Sequence, residues 1–509
     1  MPLARTLAMT LVGLEGQLIE VECDISSGLP GLSLTGLPDT SVVESRDRVR
    51  SAIANCGAEW PRQKITVALL PADVRKIGSR FDLALALAVL AAAEQVPVEA
   101  VAGVLWIAEL GLDGRLRPVR GVLPAVLAAR RCGVRRVVVA PGNAAEAALV
   151  AGLEVRAAGD LREILDWLTG RRPPLDPVAA GPTDPTEAPV GDLADVAGQQ
   201  SAKRALEIAA AGGHHVSMVG VPGAGKTMLA SRLPGILPLL DDAASMEVTA
   251  VHSVAGLLGE RPRLVRRPPL QAPHHTTSVA ALVGGGSFLA RPGAISLAHH
   301  GVLLLDEASE FSPRALDALR QPLEDGYVIL HRGGGAVRYP ARFQLVLAAN
   351  PCPCGQHAPR CSCAPLVRRR HEQRLSGPLL DRIDLRVHID PVPHVDLLEA
   401  AERETSAMVA ARVATARAAA AERWRGHGWR LNADVPGARL RARPWLLPRP
   451  ALRPAQSYFD RGALSARGFD RVLRLSWTLA DLAGRPVPDA GDVSEALHYR
   501  TGRANSWAA

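Results

Sequence analysis

The chain has 509 residues, 48% of them apolar, 4% aromatic and 22% charged, with a formal net charge of +8. That is too long for one hydrophobic core and suggests about three domains. The longest apolar run, Leu83 to Ala93, is too short to cross a bilayer. The first residues, interrupted by Arg5 and Glu15, form no secretory signal, so a cytoplasmic chain with no membrane partner is expected. Seven cysteines in that compartment favour free thiols or a metal site over disulfides. The basic balance suits a nucleic-acid partner and equally follows from an arginine-rich composition.

The first segment, residues 1–170, reads as α/β. Strands are expected at Leu18 to Ile25, Ile65 to Leu70, Val104 to Leu110 and Arg136 to Ala140. Helices are expected at Ser41 to Cys56, opened by a Ser41/Glu44 capping box, and at Asp82 to Ala93, Gly121 to Arg131 and Asp160 to Leu168. The stretches GLPGLSLTGLPDTSVVESRDRVRSAI, LLPADVRKIGSRFDLALALAVL and ELGLDGRLRPVRGVLPAVLAARRCG resemble the N-terminal domain of the YifB/ComM family of magnesium-chelatase-like proteins. That domain is similar to the Lon protease domain, of the ribosomal S5 domain 2-like fold. A Lon-type site needs a serine and a lysine in contact. Matching the Lon motifs puts Arg80 at the nucleophile, with Ser79 one place off, and Leu123 at the lysine, so the resemblance implies a protease-dead domain. Residues 171–191 are rich in proline and follow no apolar period, which predicts a linker that lets the first domain move.

The motor, residues 192–390, is expected to be an α/β/α domain built on Gly220-Val221-Pro222-Gly223-Ala224-Gly225-Lys226-Thr227. Glycines let the backbone curl its N–H groups toward a β-phosphate, and the following helix adds its positive dipole end. Lys226 supplies a cation for the β- and γ-phosphates of ATP, and Thr227 a hydroxyl for Mg²⁺. A buried-strand run from Gly301 ends in Asp306-Glu307, which suits one carboxylate that holds Mg²⁺, usually through water, and one that polarises the attacking water. The pairs His274-His275 and His299-His300 are poor metal ligands, because adjacent histidines rarely converge on one ion.

The arrangement that closes on GVLLLDEASEFSPRALDALRQPLEDG closely resembles the AAA+ module of the same family. The resemblance implies that Gln199 borders the adenine. It also implies that a hairpin between Gly326 and Phe343 faces the channel of a hexameric homo-oligomeric ring, which makes Arg332 and Arg338 candidate DNA-backbone contacts. Asn350, which ends a buried strand, matches sensor 1 and would orient the water. Arg382, in LLDRID, matches an arginine finger that reaches a neighbouring subunit's γ-phosphate. Between them, Cys352, Cys354, Cys361 and Cys363 lie within a dozen residues. Four thiolates there would enclose a structural Zn²⁺, with His357 in reserve, or remain reduced thiols in a loop that folds without metal. Residues 391–509 read as a helical lid, with helices at Glu402 to Gly426, Leu464 to Leu482 and Asp489 to Arg500. Its sensor-2 arginine matches Arg467, with Arg471 one turn on. The resemblance implies an ATP-hydrolysing ring acting on single-stranded or branched DNA, as a branch-migration helicase or translocase in recombination or transformation. The alternative is a chelatase-type motor that drives metal insertion into a tetrapyrrole through a partner protein.

Overall fold

The computed structural model describes residues 3–179, 181, 191–259, 262–286, 290–332, 335–356, 360–375, 377–392 and 403–502. The first unit is a seven-stranded mixed sheet in the order Gly31–Thr35, Lys64–Leu70, Glu15–Ser26, Ala4–Val12, Val104–Ile107, Arg136–Val139, Glu154–Ala157. Ala4–Val12 and Glu15–Ser26 form a hairpin in which Val12 faces Glu15, and Gly13 takes φ +66° in the turn, a conformation that costs glycine little. The helix Asp82–Ala92 is buried along its whole length, so it reads as continuously apolar. Its Asp82 is tolerated there because Arg48 donates to it at 2.8 Å. The helix Thr40–Asn55 starts earlier than the Ser41/Glu44 capping box predicts. Asp39 is the cap and accepts from Val42 N at 2.9 Å, while its other oxygen takes Gly78 N at 3.2 Å, so tertiary contact favours it over Ser41. The single strand expected at Val104 to Leu110 breaks after Ile107, and Glu109–Leu110 pairs instead with Leu116–Arg117.

Part of the Pro-rich stretch is a strap. Leu175 is buried against the first unit, its carbonyl accepts from Arg156 at 2.6 Å, and Val178 N donates to Val155 O at 2.8 Å. Residue 180 and residues 182–190 lie outside the described residues. The first unit also rests on the next: Gly121 N donates to Ser253 O at 3.3 Å, the Ser253 hydroxyl bonds Glu146, and Met246, Ala250 and Val254 join its apolar cluster.

The second unit is a five-stranded parallel sheet in the order Leu270–Gln271, Val302–Leu305, Gln344–Ala349, Val216–Gly220, Leu385–Ile389. The helix Gln200–Gly212 covers it. The hairpin Tyr327–Arg332 with Gly335–Pro340 is a separate two-stranded ribbon, packed through Val328, Leu330 and Tyr339 on the apolar cluster of Leu303 and Leu345. The last unit is helical, with Ser406–Arg423, Arg449–Asp460, Ala466–Leu482 and Ala490–Thr501 as its long helices. The first of these begins at Thr405, whose hydroxyl accepts from Met408 N. The helix expected from Glu402 starts later: Arg403 and Glu404 are non-helical backbone ahead of that cap, and Glu402 itself lies outside the described residues. One apolar cluster runs from Val216 and Leu206 to Val413 and Val472, so lid and motor share a core. Among the described residues no helix is long and apolar enough to cross a membrane.

Candidate nucleotide site

Parallel strands deliver their C-terminal ends to one edge of the sheet, and the phosphate loop leaves the central strand at that edge. Gly220 has no room for a side chain, since a β-carbon would collide with the Ile389 carbonyl. Gly223 and Gly225 take φ +78° and +90°, which lets the loop curl into the helix that starts at Lys226. Lys226 Nζ donates to Gly220 O at 2.7 Å, Val221 O at 3.0 Å and Asn350 Oδ1 at 3.0 Å. Burial pushes its pKa down, while Asp306 and then Glu307 push it up.

Thr227 Oγ1 donates to Asp306 Oδ2 at 2.7 Å. Neighbouring ligands of an octahedral Mg²⁺ lie about 3 Å apart, so the hydroxyl and carboxylate fit one ion. Glu307 takes φ +50°, strained for a residue with a side chain. Its N–H donates to Asp306 Oδ1 at 2.9 Å, and its carboxylate lies 3.0 Å from His275 Nδ1. Gln199, also at positive φ, spends its amide on Ala224 O at 3.2 Å and Asp390 O at 2.6 Å. It clamps the phosphate loop to the end of the last strand. The structure thus gathers Lys226, Thr227, Asp306, Glu307, Asn350 and Gln199 at one edge.

Arg382 and Arg467 are elsewhere. Both line a cavity of about 860 Å³ whose walls include Gly213, His215, Gly301 and Gln344, residues at or just before the N-terminal ends of the same strands. Four to six strand residues separate the two edges, roughly 15–20 Å at strand rise. Arg382 is nearly buried, donates to Pro378 O at 2.7 Å and pairs with Glu324. Its local partner is therefore neither Asp381 nor Asp384, which bond Arg500 and Arg471. Arg467 is exposed and has no hydrogen bond or ion pair to a described residue.

These observations admit a nucleotide-binding motor, and comparison with known proteins names its kin. The profile described as magnesium chelatase, subunit ChlI, matches residues 192–397. The profile for subunit ChlI of Mg-chelatase matches 21–143, and that for the ChlI C-terminal region 403–500. The Rv2897c protein of Mycobacterium tuberculosis is 53% identical over 98% of this chain and 99% of its own. YifB of Salmonella typhimurium is 41% identical over 98% and 97%, and the competence protein ComM of Haemophilus influenzae 40% over 98% and 98%. The chain belongs to the magnesium-chelatase family of AAA+ ATPases. ATP and Mg²⁺ are the cofactors that membership implies.

The remaining expected sites divide. Arg338 is exposed and stacks its guanidinium 3.8 Å from the Tyr327 ring centre, at mid-strand rather than at the tip, since it faces Ile329. The backbone of Arg332 pairs with Gly335, and its side chain lies outside the described residues. The four cysteine sulfurs lie within 4.8 Å of one another, with Cys352 to Cys354 at 3.0 Å, Cys352 to Cys361 at 3.4 Å and Cys354 to Cys361 at 3.6 Å. Tetrahedral Zn–S bonds of 2.3 Å place sulfurs about 3.8 Å apart, so the set fits Zn²⁺ after small shifts. His357 lies outside the described residues.

Sequence reasoning missed three histidine contacts. His275 holds the Glu307 carboxylate, and Glu247 joins His299 at 3.0 Å and His300 at 3.2 Å. That second trio is a hydrogen-bond cluster. His299 Nδ1 accepts from Arg342 N at 3.1 Å, which leaves the proton on Nε2 for Glu247 and gives a metal no lone pair there. In the first unit, Ser79 bonds Glu109 and the buried Lys76 bonds Pro71 O, so neither supplies a Ser–Lys pair.

Proposed function

We propose that the chain is one subunit of a homo-oligomeric, hexameric ring that hydrolyses ATP and translocates on single-stranded or branched DNA, driving branch migration in the cytoplasm. The observation that carries the ring is the separation of Lys226 from Arg382 and Arg467 across the length of one sheet. Those arginines serve a phosphate only when a second copy brings its phosphate loop to the cavity. In this reading Lys226 neutralises the β/γ oxygens, and Thr227 and Asp306 hold Mg²⁺, which offsets charge on the transferring phosphoryl group. Glu307, once released by His275, takes a proton from the water that Asn350 orients. Arg382 and Arg467 of the adjacent copy stabilise the charge that develops.

DNA is supported by the net basic charge, by the exposed Arg338 on the two-stranded ribbon and by likeness to a competence protein. Arg332 completes the proposed contact. The first unit, residues 1–170, with its Ser79–Glu109 and Lys76–Pro71 bonds, serves as a protease-dead scaffold. Residues 171–191 join it to the motor, 192–390, and the lid, 391–509. The cysteine loop holds structural Zn²⁺.

The test is the ATPase rate of the wild type and Glu307→Gln with single-stranded, duplex and four-way-junction DNA at two salt concentrations. DNA stimulation that weakens with salt and is lost in the variant is expected. Intact basal hydrolysis that no DNA stimulates would overturn the DNA reading. It would favour the second one, a chelatase-type motor for a tetrapyrrole, which the ChlI profile matches support.

A further inference from the structure

The cysteine loop lies against the nucleotide site at three points. Asn350, which accepts from Lys226, is two residues from the buried Cys352. The turn from Cys352 to Gly355, closed by Gly355 N to Cys352 O at 2.9 Å, leans on the phosphate loop itself. A β-carbon on Gly355 would lie 2.7 Å from Pro222 Cγ and 2.8 Å from its Cδ, with Gly355 at φ +75°. Beyond Cys363, the helix Pro365–Arg374 returns to the site. His371 Nε2 donates to Asn350 O at 3.1 Å, and Arg374 bonds Ser309 O at 3.2 Å and Glu310 at 2.8 Å, in the turn that follows Glu307.

Inside the loop itself, regular structure is missing among the described residues between Ala349 and Pro365. Ordering such a segment costs backbone entropy. Ligation by four thiolates supplies closure, because the metal is bound only when the loop is folded. Four sulfurs with no carboxylate in the set select Zn²⁺ over Mg²⁺.

We propose that Zn²⁺ in the Cys352/Cys354/Cys361/Cys363 loop forms one wall of the nucleotide site and sets its affinity, so that zinc and nucleotide binding are linked. The inference rests on the zinc reading given above. When the metal leaves, Pro222 and Asn350 lose their backing, and affinity falls to the fraction of its value set by the share of chains whose loop stays in place. If that fraction is about a tenth, mant-ADP binding weakens about tenfold. Linkage requires the reciprocal effect, a gain in zinc affinity by the same factor when nucleotide is bound.

The experiment uses the full chain purified under reducing conditions. Zinc is counted by mass spectrometry. Mant-ADP affinity is measured as purified, after stripping with a zinc-selective chelator at constant Mg²⁺, and after zinc is restored. One zinc per chain is expected, with an affinity loss of about tenfold on stripping that zinc reverses and added Mg²⁺ does not. One variant that keeps all four thiols separates the contact from the metal. Gly355→Ala should hold its zinc and still bind mant-ADP more weakly, because the new methyl pushes on Pro222. A chain without zinc that takes none up overturns the metal reading. Stoichiometric zinc whose removal leaves mant-ADP affinity unchanged overturns the link alone. Wild-type nucleotide binding by Gly355→Ala overturns the Pro222 contact as its route.

Discussion

Mixing two inactive variants tests the ring directly. Lys226→Ala removes the cation of the phosphate loop, and Arg382→Ala removes a group at the opposite edge of the sheet, roughly 15–20 Å away at strand rise. Neither should disturb the fold much. Arg382 leaves behind Glu324, which is half exposed and so contributes little as an ion-pair partner. Each variant alone should lose most hydrolysis, since deleting a trans arginine costs on the order of 10³-fold or more. In a ring closed head to tail, an active interface needs an intact Lys226 on one copy and an intact Arg382 on the next. At equal amounts, random assembly supplies that pairing at about a quarter of interfaces, so about a quarter of wild-type ATPase should return. The assay is a steady-state ATPase titration of one variant with the other, under conditions where mixed rings are verified by tag pull-down. No recovery above the sum of the parents would show that both residues serve the same chain's nucleotide, and the separation argument would fail. Arg467→Ala mixed with Lys226→Ala should behave the same way.

Acid should loosen the motor before the first unit. Burial lowers His215 and His299 to about 4, so between pH 6.5 and 4 the unfolded motor binds up to two protons that the native one lacks. Its stability then falls by at most about 3 kcal/mol per pH unit as pH drops. Asp82, raised to about 6 by burial beside Arg48, gives the first unit the opposite trend: its contribution is present at low pH and lost as pH rises through 6. Hydrogen exchange at pH 7 and pH 5, corrected for intrinsic rates, should show protection falling in the motor strands and not around Asp82. Equal protection in the motor at both values would refute this. Within the lid, Asp481 is buried and takes Arg423 at 3.0 Å and Asn432 at 2.9 Å, so Asp481→Ala should cost about 3–5 kcal/mol by urea unfolding. A loss below about 1 kcal/mol would mean that water already serves Arg423. Replacing His275 by Ala should release Glu307 and raise basal hydrolysis without DNA, and a fall would make His275 part of the chemistry instead.

What the sequence reveals most clearly is chemistry made by neighbours along the chain. The phosphate loop needs its glycines, Lys226 and Thr227 within eight residues, and a strand that ends in Asp306-Glu307 announces itself by four apolar residues in a row. The strand Ala4–Val12 is harder to see, because after Arg5 it is covered on both faces and shows no alternation. The cap of the first helix moves from Ser41 to Asp39 through contact with Gly78, 39 positions away, and Glu247 meets His299 across 52. The edge of the sheet that Arg467 occupies follows from how the lid packs on the motor, through the cluster that joins Val472 to Val216. Pattern along Ala466–Leu482 marks a buried face without naming its partner.

The turn of the first hairpin reaches the ribbon that is proposed to touch DNA. A β-carbon on Gly13 would lie 2.7 Å from Val337 Cγ1 and 3.2 Å from Arg338 O, and Leu14 packs into the cluster that holds Val328, Leu330 and Tyr339. From Pro340 the chain runs through Arg342, whose N–H is fixed by His299, into Gln344–Ala349 and directly to Asn350. The ribbon and the Asn350 amide, which is proposed to orient water, are therefore two ends of one short stretch of chain, with the first unit bracing the ribbon end. Gly13→Val should strain the turn, since φ +66° disfavours a branched side chain, and overpack Val337, at about 2–4 kcal/mol together. The expected result is a ribbon shifted off its brace, with DNA-stimulated ATPase lowered severalfold and basal ATPase kept. Stimulation equal to wild type, in a variant whose hydrogen exchange shows the brace displaced, would mean that the ribbon works without the first unit, and residues 1–170 would then have to act on some other surface.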